Sequence, residues 1–345
     1  MSDFIDVMRK HQIQWRKKNL SHIKENGKQN GKVYEHILPW ANHMQNFYPG
    51  IRESLGRYVE DKKIHMHTGI HNLMSSWVLC ANLYWPFNNN EGFNLLSRYL
   101  SDASGIDINK IQDLELEYAE EGEFDPQHLL GEDSGVRGSG QTSPDLAIKF
   151  LTEDNKKGIF LIESKFTEHS FYVCSGYNKT KGGKLPPDPA KCKNTRGILD
   201  SDFQNCRLVA WKRKYWNLLK GDLNQEKFKT SRCPMSVSCY QLFRQQALAK
   251  GLEKRYDISV SCVTVDSRNE ELINSSNKVG LKSFPEGWKE LFPKVSFLWL
   301  NHRDWFEFVK LHSDGAWEDW LKYIGERYFL VTKLIKVSKG CRWSL

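Results

Sequence analysis

Residues 143–166 read SPDLAIKFLTEDNKKGIFLIESKF, and the pattern of apolar residues in this stretch predicts a β-hairpin. The segments Leu146 to Leu151 and Ile159 to Phe166 are mainly apolar and short, as buried strands are. Residues 152–157, between them, are polar and favour a turn. Because charged residues begin the first strand and end the second, the hairpin also decides where a polar site would lie.

The register of this hairpin brings two acids and one amine together. If the turn centres on Asp154, residues whose numbers sum to 308 face each other, so Asp145 lies opposite Glu163. Directly opposed residues have Cβ atoms roughly 4.5–5.5 Å apart, which is close enough for two carboxylates to share one cation. Lys165 is two residues beyond Glu163, so it projects from the same face of the sheet.

Such a cluster suits a hard divalent cation and phosphate chemistry. Mg²⁺ prefers carboxylate oxygens and keeps several waters, and Mn²⁺ accepts the same ligands. We therefore expect Asp145 and Glu163 to hold Mg²⁺, with the backbone carbonyl of Ser164 as a third ligand. The ammonium group of Lys165 would orient a water nucleophile or stabilise the negative charge that builds on phosphorus. In the alternative interpretation, Asp145 begins a turn, and Glu163 and Lys165 are a solvated pair on an edge strand.

The two motifs Ser143-Pro144-Asp145 and Ile162-Glu163-Ser164-Lys165 together resemble the bipartite signature of the PD-(D/E)xK nuclease superfamily. The core of that family runs helix, three antiparallel strands, helix and strand. The corresponding predicted elements of this chain are Leu73 to Tyr84, Leu114 to Ala119, Leu146 to Leu151, Ile159 to Phe166, Tyr240 to Lys254 and Ile258 to Val265. The resemblance implies an α/β fold of the restriction-endonuclease-like branch, with a mixed central sheet flanked by helices.

Three regions follow from this alignment of elements. Residues 1–70 form a helical N-terminal region, and residues 71–270 form the nuclease core. Compared with the family, the core carries a long insertion at about 167–235. Residues 271–345 form a C-terminal α/β extension that packs on the core.

Further site candidates come from the same resemblance. Many members carry an acid on the first core helix, but residues 71–87 contain none, so Glu117 is the substitute candidate, with an exposed strand residue as the alternative. Gln241 and Arg244 begin a helix that should pack beside the site, where related enzymes often use a glutamine or a basic residue. Their alternative is a plain helix surface. Glu168 would need a bulge to reach the site.

Charge and composition favour a nucleic-acid partner without identifying it. Lys and Arg total 50 against 42 for Asp and Glu, a net charge of +8, so the position of the cations matters more than their number. We expect double-stranded DNA to contact Arg137 and two clusters, in the insertion and on a helix from Phe203 to Leu219. These clusters comprise Lys179, Lys181 and Lys184, and Lys212, Arg213 and Lys214. A merely solvated helix face is the alternative.

Other cofactors are not expected. Gly182-Gly183-Lys184 is followed by leucine rather than by Ser or Thr, so it is no P-loop, and we predict no organic cofactor. Five cysteines lie between Cys174 and Cys239 without any C-x-x-C pair, which favours buried free thiols over structural zinc or an iron–sulfur cluster. His65, His67 and His71 are expected in loop and cap roles. Without a secretory signal or a membrane-length apolar run, a cytoplasmic location is expected.

These observations lead to one functional prediction and two alternatives. The prediction is a Mg²⁺-dependent DNA endonuclease, of the type II-like restriction kind used in bacterial defence. Cutting both strands favours a homodimer, because one active site faces one strand. The alternatives are a repair or mobile-element nuclease of the same superfamily, and a nucleic-acid-binding protein whose catalytic-looking residues are inactive.

Overall fold

The computed structural model describes residues 3–177 and 187–330. Its strands are β1 Gly27–Gln29, β2 Lys32–Tyr34, β3 Ile108–Leu116, β4 Leu146–Thr152, β5 Lys157–Lys165, β6 Ile258–Val265 and β7 Phe297–Asn301. Its α-helices are α1 Asp3–Asn19, α2 Arg52–Asp61, α3 Ser76–Tyr84, α4 Asn90–Ser104, α5 Pro126–Leu130, α6 Pro189–Cys192, α7 Thr195–Asp200, α8 Arg207–Ala210, α9 Tyr215–Leu219, α10 Gln225–Phe228, α11 Tyr240–Leu252, α12 Glu270–Ile273, α13 Glu286–Leu291, α14 His302–His312 and α15 Glu318–Tyr328. Short 3₁₀ turns join several of them.

The central sheet is mixed and has the strand order β3-β4-β5-β6-β7. Strands β3, β4 and β5 pair antiparallel, whereas β6 and β7 continue the sheet in parallel with β5. A parallel neighbour needs a crossover connection, and the long segment between β5 and β6, which includes α11, supplies it. The predicted fold class, an α/β restriction-endonuclease-like core, is confirmed.

The register of the central hairpin is the one that the sequence predicts. Leu146 pairs with Ile162, Phe150 pairs with Gly158, and every recorded β4–β5 pair sums to 308. A glycine at position 158 avoids a clash, because a Cβ there would lie 2.1 Å from the Phe150 ring. The turn is therefore fixed by local sequence, and the hairpin ends at Asp145 and Glu163.

The two faces of the sheet support separate hydrophobic cores. Even-numbered residues of β4 and β5, such as Ile148 and Phe160, pack on α3, α4, α14 and α15. Odd-numbered residues, such as Ala147 and Leu161, pack on α9, α11 and the insertion. Because side chains alternate along a strand, Asp145, Glu163 and Lys165 share the face that α11 covers.

The sequence locates the core helices well. Ser75 caps α3 by accepting the Val78 N–H at 3.3 Å, and every residue from Trp77 to Tyr84 is buried. Asn89 caps the start of α4, and Gly105 ends that helix in a left-handed conformation. Within the described residues, no helix is both long and apolar enough to cross a membrane.

Several predicted bounds are wrong. The first core strand starts at Ile108 and ends at Leu116, earlier than its Leu114–Ala119 prediction. The predicted helix from Phe203 to Leu219 is two short helices, because Lys212 adopts a left-handed conformation at φ 63°. Residues 1–70 also contain the β1–β2 hairpin. One hydrophobic core joins residues from Met8 to Leu330, and the domain boundaries stay a prediction.

Candidate active site

Asp145 lies at the junction of three segments. Its Oδ2 accepts the backbone N–H of Ser164 at 2.8 Å, which ties the first predicted motif to the second. Its carbonyl accepts the N–H of Glu117 at 3.1 Å, which ties both to the end of β3. The acid is 8% exposed, so its position is fixed by neighbours rather than by solvent.

Glu163 and Lys165 form a buried pair at the end of β5. Lys165 Nζ lies 2.8 Å from Glu163 Oε1, and the two residues are 2% and 4% exposed respectively. Gln241, near the start of α11, donates to the same oxygen at 2.5 Å. The helix is placed for this contact because the Gln241 N–H donates to the Phe171 carbonyl at 2.8 Å.

Glu117 follows β3 in a conformation that is unusual for a residue with a side chain. Its φ is 47°, and it is 1% exposed. Its Oε1 lies 2.8 Å from His67 Nε2, a contact that sequence reasoning missed because nothing local links residues 50 positions apart. Gly138 packs against the same carboxylate, and a Cβ there would lie 2.6 Å from the His65 carbonyl. Strained residues held in this way are concentrated at functional sites.

One cavity of about 140 Å³ brings these groups together. Its lining includes His67, Glu117, Asp145, Glu163, Gln241 and Arg244. The structure thus gathers the predicted acids and Gln241 around one space, with His67, for which the sequence predicts a loop or cap role, beside them. Lys165 is not among the lining residues, but it contacts Glu163, which is. The sequence signal for His67 was only its membership of the 65–71 histidine group.

The electrostatics of the cavity favour a bound cation. Burial raises the pKa of Asp145 well above its usual range, and the nearby Glu163 carboxylate raises it further. Burial likewise raises the pKa of Glu163, although Lys165 opposes that effect. Two buried carboxylates that repel each other gain stability from a shared positive ion. Gln241 Oε1 is also buried without a hydrogen-bond partner among the described residues.

The donor set fits Mg²⁺ chemically. Carboxylate oxygens and a cavity with room for water are what this ion takes in proteins. As the side chains stand, no three His, Cys, Asp or Glu residues within 3–177 and 187–330 converge on one point. Glu163 Oε1 is instead engaged by Lys165 and Gln241. A metal at Asp145 and Glu163 would therefore bind Glu163 beside these two donors or through its other oxygen.

Lys165 is surrounded by acids and an aromatic ring. Burial works to lower the pKa of Lys165, but Glu163 and Glu168 outweigh it and hold the amine protonated. Its Nζ lies 4.0 Å from Glu168 Oε1 and 5.1 Å from the centre of the Tyr172 ring. Glu168 reaches this side because its carboxylate accepts the Ser76 hydroxyl and the Phe166 N–H, just beyond the strand.

A second buried network holds the loop that precedes Asp145. Glu132 accepts both the N–H and the hydroxyl of Thr142 at 2.5 Å, and it accepts the Tyr215 hydroxyl at 2.6 Å. Arg244 on α11 donates to Glu132 at 3.2 Å and to Thr142 at 3.0 Å. Arg244 therefore lines the cavity while it fastens the loop to the helix.

The predicted DNA contacts are dispersed. Arg137 pairs with Glu115 at 2.8 Å and is mostly buried. Arg213 donates to the Gly131 carbonyl and pairs with Asp133, while Lys214 donates to the His128 carbonyl. Lys212 is exposed and has no side-chain hydrogen bond or ion pair in the described part of the chain. Lys179, Lys181 and Lys184 lie outside the described residues.

A comparison with known protein families assigns the chain. The family model described as restriction endonuclease associating with ARP matches residues 9–329, which is nearly the whole chain. Neither the curated proteins nor the solved structures include a match. The family match confirms the restriction-endonuclease-like assignment made from the two motifs, and it indicates a restriction-type nuclease. The chain belongs to the family of restriction endonucleases associating with ARP.

Proposed function

We propose that this protein is a Mg²⁺-dependent endonuclease that hydrolyses phosphodiester bonds in double-stranded DNA, as a type II-like restriction enzyme in bacterial defence. One observation carries the proposal: Asp145, Glu163 and Lys165 meet where β4 begins and β5 ends. In a restriction endonuclease family, that cluster has the ligands and the cation that phosphodiester hydrolysis needs.

The metal would be held by Asp145 and Glu163, with the Ser164 carbonyl as a further ligand. When bound, Mg²⁺ would polarise the scissile phosphate and lower the pKa of an attacking water. The Ser164 N–H orients the Asp145 carboxylate, since it donates to Oδ2 at 2.8 Å. The side-chain amide of Gln241 orients Glu163 by donating to its Oε1 at 2.5 Å.

Lys165 would act directly on the phosphate. Its ammonium group is kept in place by Glu163 at 2.8 Å, so little conformational freedom is lost when DNA arrives. Its Nζ would donate hydrogen bonds to a phosphate oxygen and stabilise the charge that develops in the transition state. Glu117 and His67 also line the cavity, and they would position a water molecule or a second oxygen of the phosphate.

Cleavage of a duplex requires a site for each strand. The described residues of one chain contain one such cluster, so we propose that two copies act together as a homodimer. Exposed Lys212 and the cations of the insertion would contact phosphates and position the duplex without reading its sequence.

The direct test is cleavage of supercoiled plasmid by purified protein. With Mg²⁺ we expect linear products, and with excess EDTA we expect none. Asp145→Asn, which keeps the shape of the side chain and removes its charge, should be inactive under both conditions. Sequencing the ends produced from a defined genome would show one recognition motif for a restriction enzyme. Tight DNA binding without any cleavage in Mg²⁺ or Mn²⁺ would reject the nuclease proposal.

A further inference from the structure

Four cysteines of the insertion line one small cavity, far from one another in sequence but close in space. They are Cys174, Cys192, Cys206 and Cys233, and each is buried. The rest of the wall is mainly apolar, with Trp216, Met235 and Phe243. The four thiols therefore converge on one small space of about 10 Å³.

The backbone draws the four cysteine segments together. The Cys233 N–H donates to the Cys192 carbonyl at 2.7 Å, and the Cys174 N–H donates to the Met235 carbonyl at 2.8 Å. Cys206 precedes α8 and packs on Trp216 of α9. One loop, the end of α6, the start of α8 and the start of a 3₁₀ turn therefore converge.

N–H groups point at the sulfur atoms. Gly176 donates to Cys174 Sγ at 3.3 Å, and the indole of Trp216 donates to Cys206 Sγ at 3.4 Å. Further main-chain N–H groups approach the cysteine sulfurs: that of Tyr177 approaches Cys174, those of Leu208 and Val209 approach Cys206, and that of Met235 approaches Cys233. A neutral thiol is a weak acceptor, whereas a thiolate is a good one. Such donors are the usual surroundings of metal-bound sulfur.

The charges around the cavity agree with bound thiolates. Arg207 lines the cavity; its Nη2 lies 3.3 Å from Asp188 Oδ2, whereas its Nε is buried without a hydrogen-bond partner among the described residues. A cationic side chain beside the cage would compensate a net negative metal–thiolate centre.

We propose that Cys174, Cys192, Cys206 and Cys233 ligate a thiophilic metal centre that holds the insertion in shape. Each thiol would release its proton to solvent as its sulfur–metal bond forms. Sulfurs around a single zinc ion lie about 2.3 Å from it. As the side chains stand, no three ligating residues of the described chain are grouped to hold a metal ion, so the thiols would turn towards the metal as it binds. A lone zinc ion and an iron–sulfur cluster both take four thiolates. The sequence alone favoured free thiols because its cysteine spacings are long.

This centre would act on the active site through the insertion. The Phe171 N–H donates to the Ser238 carbonyl at 2.8 Å, and the Phe171 carbonyl accepts the Gln241 N–H at 2.8 Å. The cysteine segments therefore flank the turn that delivers Gln241 to Glu163. The metal centre would position this turn and would take no part in the chemistry.

The test begins with the wild-type protein, purified without oxygen from cells supplied with iron and zinc. Elemental analysis and a sulfide assay should find bound metal: iron with an equal amount of sulfide and absorbance near 400 nm for a cluster, or about one zinc per chain for a single ion. Either result supports the four-thiolate site and identifies its metal. Protein that holds neither, and that takes up neither on reconstitution, overturns the proposal.

Variants then assign the ligands. Cys206→Ser and Cys233→Ser should each lose most of the metal, whereas Cys239→Ala should keep it. Cys239 is a matched control because it is fully buried just after the same insertion, at the start of α11, but does not line the cavity. Metal retained by all three variants would reject these ligands. Lys165→Ala should keep the metal while cleavage is lost, which separates this proposal from that of the nuclease.

Discussion

The Asp145 carboxylate accepts the backbone N–H of Ser164 at 2.8 Å, so the acid of the first motif is held by the second. This contact crosses the open end of the β4–β5 hairpin, where no further strand pairing is recorded. The charged form of Asp145 is disfavoured at this position, because the residue is buried near Glu163 and Glu117. Without a metal, the negative charge of Asp145 is therefore destabilising.

We therefore expect Asp145→Asn to be inactive but more stable than the wild type. An amide oxygen can still accept the Ser164 N–H, whereas the buried like charge is removed. Plasmid cleavage should fall by at least about 100-fold, in the range seen when electrostatic groups are removed from active sites. Thermal unfolding without added metal should shift upward.

Asp154→Asn is the matched control for this change, because Asp154 is exposed in the turn at the other end of the hairpin. It should cut DNA at the wild-type rate. Lys165→Ala should also abolish cleavage while DNA affinity and folding persist. Wild-type cleavage by either active-site variant would contradict the assigned roles.

The second prediction concerns the choice of metal. Mg²⁺ and Mn²⁺ should support cleavage, whereas Ca²⁺ should support DNA binding with little hydrolysis because it acidifies bound water less. Glu163→Gln should weaken metal binding, measured by calorimetry with catalytically idle Ca²⁺, since an amide offers a neutral oxygen. Robust cutting in excess EDTA would contradict an oxygen-ligated metal site.

The third prediction concerns Gln241. It donates to Glu163 Oε1 at 2.5 Å, so Gln241→Ala should lower kcat by about 10–100-fold, as losses of partners around metal ligands do. Gln246→Ala is the control, because Gln246 lies on the same helix but bonds the Ser296 carbonyl at 3.4 Å. Equal rates for the two variants would show that the contact with Glu163 has no role in cleavage.

The fourth prediction concerns Lys212, Arg213 and Lys214. It separates a role in DNA contact from a role in holding the neighbouring loop. Arg213 and Lys214 hold residues 128–133, which comprise the end of α5 and the loop that follows it, so replacing them would disturb the protein as well as its charge. Lys212→Gln is the cleaner change, and it should lower the slope of log affinity against log salt by about 0.9. Lys322→Gln, on the opposite side of the sheet, should leave the slope unchanged. An unchanged slope for Lys212→Gln would place the DNA elsewhere.

The fifth prediction concerns acid stability. Burial lowers the pKa of His302 to about 4, although Asp266 opposes the shift. The unfolded chain takes up this proton near pH 6.5, so folding stability is lost as the pH falls from about 6.5 towards 4. Between pH 7.5 and pH 5 the loss from this residue is about 2 kcal/mol.

His302→Asn should therefore flatten the pH dependence of urea unfolding by about that amount. Comparison with the wild type at each pH cancels the titration of other groups, including the partly buried His36, whose pKa is also about 4. A variant that loses stability in acid as steeply as the wild type would exclude His302 as the cause.

Local sequence determined the hairpin, its register and the position of three site residues. Strand pairing across a short turn involves residues fewer than 20 apart, and period-two alternation fixes which side chains share a face. Asp145, Glu163 and Lys165 could therefore be placed from sequence. The same local reasoning failed at residues 203–219, where contacts with the 128–133 loop interrupt a helix that the apolar pattern favoured.

Only the tertiary structure decided which distant groups join them. His67 meets Glu117 across 50 residues, and Gln241 meets Glu163 across 78. The cysteine cage likewise closes through backbone contacts between loops, such as that of Cys233 with Cys192. Such contacts depend on how helices and loops pack on the sheet, and no local periodicity records that packing. The sequence thus determined the centre of the site, whereas folding selected the residues that surround it.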